Sequence, residues 1–297
     1  MLLYLCMRIL HPKKDNIRLD RCLQEAFPAL TFNKLSKYLK ENKIKVNSKK
    51  VPLNTIVNRS DEIKLFILDE FLENTPQVLD KKDIVFEDSH ILVAFKKAGL
   101  ESINDDVNID TLNKRIQTYL QDTSGCICHR LDTGTSGLLI YAKTKDVEDA
   151  LLDAIKNHKI KKFYTCVTFG WPKDNKGVIQ NFLLKCDDGY VKVFKTQVEN
   201  SKEAITKYKV ISKKDELAYL DVELLTGRTH QIRVHMKSMG CPILGDSKYG
   251  NNDANKKYNK KRQCLCAYKI ALPAFNNILQ PLSNMVFEIE KPTFDLF

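Results

Sequence analysis

The sequence has 297 residues, 43% of them apolar, and 48 Lys and Arg against 37 Asp and Glu give a net charge of +11. This permits one large domain or two and favours a polyanionic partner, nucleic acid or an acidic surface. No apolar run approaches a membrane span, and nine scattered cysteines, an odd number, exclude a disulfide framework and point to a reducing, cytoplasmic compartment.

The pairs Cys126/Cys128 and Cys264/Cys266 lack zinc-site spacing, so no metal is expected. Met1 to Leu10 has no basic residue ahead of its apolar part and no small-residue cleavage site, unlike a signal peptide. It reads as a first strand, or as an early start with Met7 the alternative initiator. Residues 1–64 hold 14 Lys and Arg against 6 Asp and Glu, most of the net charge, so a small basic docking module is expected over 1–68.

Within it, Leu19, Cys22, Leu23, Ala26 and Phe27 share one helical face, and Pro28 stops that helix. Thr31 is placed to cap a second helix with Phe32, Leu35, Tyr38 and Leu39 inside and Lys34, Lys37 and Lys40 outside. Lys43 to Val51 alternates around Asn47-Ser48 and predicts a hairpin, and Asp61 to Ile67 predicts another strand. Lys34, Lys37, Lys45 and Lys50 would then share a phosphate-binding surface, unless they are only a solvated face.

Polar residues 69–82 read as a linker, and 83–297 as a second domain. There, Ile84 to Phe86 and Ile91 to Phe95 predict strands about the turn 87–90. A loop over 104–108 precedes a helix from about Asp110 to Leu120. Cys128 to Thr144 is the densest stretch. A basic pair, His129 and Arg130, precedes Asp132, then a small-residue turn, then a buried strand at Leu138 to Ala142. Either Asp132 sits at a sheet rim facing the same way as Arg130, or it only caps the turn.

A helix follows from Asp146, with Val147, Ala150, Leu151, Ala154 and Ile155 inside. Tyr164, on the strand Lys161 to Val167, is a base-stacking candidate or a half-buried strand tyrosine. A hairpin turn falls at Asp187-Asp188-Gly189. Ile205 to Ile211 and Leu217 to Leu225 alternate as strands, with Leu220, Val222 and Leu224 inward. In Thr226 to Met236, Gly227 permits a turn and Thr229 a cap. The helix buries Ile232, His235, Met236 and Met239, and Arg228 and Arg233 flank its start, a place suited to an anion. His230 and His235 read as structural. Lysine-rich 251–263 reads as a mobile loop. Leu265 to Leu272 and Met285 to Ile289 close the fold, an α+β arrangement with a largely antiparallel sheet.

His129-Arg130-Leu131-Asp132 followed by Thr135-Ser136-Gly137 closely resembles the catalytic motif of the RluA family of pseudouridine synthases. Lys162-x-Tyr164, Gly227 to His235, and Pro242 to Asp246 with Tyr249-Gly250 resemble three further family motifs in the expected order. Residues 16–68 look like the αL RNA-binding module shared with a ribosomal small-subunit protein. The resemblance implies a mixed, largely antiparallel sheet flanked by helices in the catalytic domain. It implies an isomerase that converts uridine to pseudouridine without cofactor, acting on 23S ribosomal RNA or a pre-50S particle. No membrane partner is expected, and nothing in the sequence demands an oligomer, so a monomer is expected.

By the same resemblance, Asp132 is the catalytic carboxylate and Arg233 pairs with it, keeping it ionised. Tyr164 stacks on the uracil, and Arg130 fills the gap left by the extruded uridine or contacts its phosphate. Arg228 contacts RNA. Lys97, Ser102 and Cys266 depart from the family pattern, where Pro, a nearby His and another His are usual. A transfer RNA substrate and a non-catalytic role in ribosome assembly remain alternatives. A glycosidase is disfavoured, since no second carboxylate of matching role is evident.

Overall fold

The computed structural model describes residues 7–27, 30, 32–67, 72, 77–104 and 110–297. The chain divides into two compact units, 1–77 with 104–110, and 78–103 with 111–297. Pro28, Thr31 and residues 105–108 of the expected loop lie outside the described residues, as do 69–71 and 73–76 of the expected linker. Of its described leucines, Leu72 packs in the first unit's core and Leu79 in the second's.

In the first unit, β1 (Arg8–Leu10), β5 (Ile63–Leu65) and β3 (Ile44–Val46) form an antiparallel sheet with β5 central. β2 (Ile17–Arg18) pairs with β4 (Ile56–Val57). Helices α1 (Leu19–Ala26) and α2 (Phe32–Lys40) supply Leu19, Leu23 and Leu35 to the core, all at 0% exposure. Two expectations change. Phe32, at the N-terminal end of α2, is exposed although it lies three residues before the buried Leu35. The Asn47-Ser48 turn forms, with φ of 49° and 65°, but returns only a single bridge, Val46 to Lys49. The full partner of β3 is the more distant β5.

The second unit is one 11-stranded sheet, with two antiparallel portions joined by a parallel seam. One portion holds β6 (Ile84–Glu87), β7 (Ile91–Lys96), β8 (Cys126–Ile127) and β9 (Ser136–Ala142). The other holds β10 (Lys161–Phe169), β11 (Lys176–Lys185), β12 (Val191–Phe194), β13 (Lys202–Lys214), β14 (Leu217–Leu224), β15 (Leu265–Ala271) and β16 (Val286–Glu288). β9 meets β15 in parallel at Ser136↔Cys266 and Gly137↔Ala267. Gly137 has φ 129°, and a Cβ there would lie 2.4 Å from the Ala267 backbone nitrogen, so only glycine permits this approach.

From Leu138 to Ala142 β9 is buried and largely apolar because both its faces are covered. Leu138 and Ile140 pack with Val147, Leu151 and Ala154 of α4 (Lys145–Lys156), which Thr144 caps. Leu139 and Tyr141 face the other core, with Ile116 of α3 (Leu112–Leu120) and Ile232 and Met236 of α5 (Gln231–Ser238). On β14 the predicted alternation holds, with Leu220, Val222 and Leu224 buried and Asp221 and Glu223 partly exposed. The expected loop over 251–263 instead contains α6 (Asn252–Lys257). Asn251 caps it and Ala254 is its only buried residue, too little apolar surface to show as a period. Among the described residues, no helix is long and apolar enough to cross a membrane.

Candidate active site

The seam places the loop before β9 beside β10 and the start of α5. Asp132, Arg130, Tyr164, Arg228 and Arg233 line one cavity of about 700 Å³. The sequence thus identified five residues that the fold brings together across a hundred positions. Lys34, Lys37, Lys45 and Lys50 belong to the first unit. Lys34, Lys37 and Lys50 are exposed, and the Lys45 ammonium lies 5.5 Å from the Phe66 ring centre.

The Asp132 loop is fixed through its backbone. Ser102 is buried, and its Oγ accepts from Leu131 N–H at 3.0 Å and donates to Leu131 O at 2.9 Å. Thr133 O accepts from Gly99 N–H at 2.6 Å and from Lys96 Nζ at 3.3 Å. Lys96 is wholly buried and also donates to Leu100 O at 2.7 Å. Burial lowers its pKa to about 8, with Asp132 opposing and Arg262 assisting. Thr135 N–H closes the turn on Asp132 O at 3.0 Å.

Arg233 does not hold a free anion at the helix start. It is buried and spans two carboxylates. Nη1 donates to Asp132 Oδ2 at 2.7 Å, while Nε and Nη2 donate to Asp246 Oδ2 and Oδ1 at 2.7 and 3.0 Å. Such a bidentate pair fixes the guanidinium plane, and with it the direction of Nη1. With its amide oxygen facing the arginine, Gln263 accepts from Nε and Nη2 at 3.1 Å each, and its nitrogen donates to Thr135 Oγ1 at 2.9 Å. Asp246 is 0% exposed. Burial alone would raise its carboxyl, but Arg233 and the amides of Tyr249 and Lys248 outweigh that and leave it lower than usual.

Tyr164 stands on β10 opposite Val222 and Ala267, 6% exposed. Burial, reinforced by Asp132, raises its phenol well above the ordinary value. Arg130 is exposed at the cavity wall. Arg228 Nε donates to Glu203 O at 2.9 Å.

His129 is not half of a basic pair. Burial, with Lys162 nearby, lowers it to about 3, so it is neutral. His235 is structural as expected, with Nδ1 at 2.9 Å from Thr206 Oγ1 and Nε2 at 2.9 Å from Asn181 Oδ1. His230 is different. It, not Thr229, is the N-cap of α5, in a left-handed conformation at φ 54° and without a side-chain cap bond. Its Nε2 lies 4.0 Å from Asp132 Oδ2. Asp246, Gln263, Ser102, Lys96 and His230 were not among the sequence candidates. Asp246 and His230 carried a signal, their places in the Pro242 to Asp246 and Gly227 to His235 motifs, and Ser102 was visible only as a departure from the family pattern.

The assembly can present an oriented carboxylate to a ligand lying against an aromatic ring, with cations at the rim. A model of the RNA pseudouridylate synthase family matches residues 90–238. The chain is 35% identical over 256 residues to the ribosomal large subunit pseudouridine synthase C of Rickettsia felis, covering 80% of this chain and 82% of that one. It is 30% identical over 292 residues to the uncharacterized RNA pseudouridine synthase YhcT of Bacillus subtilis, covering 96% of this chain and 92% of that one. Among solved structures, human RNA pseudouridylate synthase domain containing 4 aligns at a TM-score of 0.57 and 25% identity, over 72% of this chain and 90% of that one.

Proposed function

The chain belongs to the RNA pseudouridylate synthase family, of the RluA type, and from that premise we propose that it isomerises uridines of large-subunit ribosomal RNA with Asp132 as the catalytic carboxylate. The observation that carries this reading is the 2.7 Å contact of Arg233 Nη1 with Asp132 Oδ2, in a cavity that Tyr164 also lines. The protein is an isomerase acting on RNA. Asp132 acts at the sugar C1′ of the target nucleotide. The C1′–N1 bond breaks, the uracil turns while held against Tyr164, and a C1′–C5 bond forms. C5 loses a proton and N1 gains one, so atoms balance without cofactor or metal. Arg130 takes the space or the phosphate of the extruded uridine.

The ribosomal target is supported by the name of the Rickettsia relative and by the concentration of charge in residues 1–64. In this reading 1–68 is an RNA-docking module, 69–82 a connection and 83–297 the catalytic domain. The protein works as a monomer in the cytoplasm, where the RNA or assembling subunit is met. Pseudouridine mapping of total RNA, from cells with and without the gene, tests the target. Sites lost from 23S RNA alone support it. Sites lost only from transfer RNA move the substrate there, and no lost site favours a binding role in assembly.

The docking role makes its own prediction. Replacing Lys34, Lys37, Lys45 and Lys50 together by Gln should weaken RNA binding and reduce the slope of log affinity against log salt by about 3. Filter binding across a salt series measures this, and an unchanged slope would place docking elsewhere.

A further inference from the structure

His230 faces the hydroxyl of Tyr249 through Nδ1. Tyr249 Oη accepts from Val191 N–H at 2.9 Å and lies 2.8 Å from His230 Nδ1. Among the described residues Nδ1 is the only acceptor within reach of the phenol proton, an arrangement that favours the tautomer in which Nδ1 accepts. Burial, the largest influence, holds the imidazole below its usual pKa despite Asp132, and the ring is neutral. In that tautomer its one proton sits on Nε2, the atom 4.0 Å from Asp132 Oδ2. The left-handed backbone at His230 turns this side chain into the cavity instead of spending it as a helix cap.

Both donors near Asp132 thus address one oxygen. Arg233 Nη1 already holds Oδ2 at 2.7 Å, and no described residue donates to Oδ1. At 4.0 Å the His230 contact is too long for a hydrogen bond, but catalytic contacts commonly tighten when the substrate binds. We propose that His230 is a positioning residue of the reaction, donating from Nε2 to Asp132 Oδ2 once uridine fills the cavity and leaving Oδ1 as the reacting oxygen. Tyr249 acts one step behind it by setting the tautomer. This rests on the assignment of Asp132 as the catalytic carboxylate.

The test is single-turnover pseudouridine formation with excess protein and total RNA from cells lacking the gene, read by mass spectrometry, with RNA affinity and melting midpoint measured alongside. His230→Ala should slow the step about 10- to 100-fold, the range for a lost hydrogen bond to a charged group, with affinity and midpoint unchanged. His230→Gln, whose amide nitrogen reaches the place of Nε2, should recover most of that loss. Tyr249→Phe should slow the step about 3- to 10-fold by freeing the tautomer. A His230→Ala rate within twofold of the parent overturns the proposal. So does a loss confined to affinity, or an equal loss in the Gln variant. Should His230→Ala not fold, a parental rate for Tyr249→Phe overturns it. Asp132→Asn runs in parallel: pseudouridine formed by that variant would refute the Asp132 assignment itself, whatever His230 does.

Discussion

Asp132→Asn should leave a folded, RNA-binding protein whose rate of pseudouridine formation is lower by about ten-thousand-fold or more, as when a residue that performs the chemistry is removed. Asparagine has the same shape, and its amide oxygen can still accept from Arg233 Nη1. It lacks the charge and the second acceptor oxygen, so it neither attacks carbon nor takes a proton. The cost to stability should be only about 1 kcal/mol, since Asp132 is partly exposed and Arg233 keeps its pairing with Asp246. Mass spectrometry of treated RNA measures the rate and filter retention the affinity. Affinity that falls in parallel with activity would show that Asp132 grips RNA instead of reacting with it.

Arg233→Gln should have the largest effect on stability. It leaves the Asp246 carboxylate, 0% exposed, without its cation. Breaking a buried pair from one side costs about 3–5 kcal/mol, or roughly 10 °C in melting midpoint for a unit of this size. Replacing both partners, Arg233→Met with Asp246→Leu, should recover much of the midpoint but none of the activity, because Asp132 remains unheld. A single variant that melts with the parent would show that the pair does not stabilise the fold.

Acid should distinguish the two proteins. In the parent the folded Asp246 carboxyl lies below its usual value, so its stabilisation is present above the unfolded pKa, near 4, and is lost as pH falls through the folded value. In the variant only burial and the amide donors act, and burial raises the carboxyl. That penalty is felt above pH 4 and relieved below it. The gap in stability between parent and variant should therefore narrow on acidification.

Much of the chemistry was legible before any fold. Four short motifs in order identified the family, and the comparisons bear that out. They did so by resemblance, each motif matching the family's residues in kind, spacing and order. The period of two over Leu220 to Leu224 and the helical period of α4 survived because each reports one face against one core. The 251–263 segment failed as a loop because a single buried residue, Ala254, makes no period.

What the sequence by itself determined is therefore the reaction class, the α+β character and the elements whose apolar faces repeat. Only the tertiary structure decided how Asp132 is held. Arg233 lies 101 residues from it, Ser102 reaches Leu131 across 29, and Gln263 reaches Thr135 across 128. A polar side chain that satisfies one distant partner has no periodicity to betray it. The same is true of the parallel seam between β9 and β15, where one glycine allows two backbones to meet. Hydrophobic burial is repeated along an element and can be read from it. A hydrogen bond is made once, between two atoms, and exists only when the chain has brought them together.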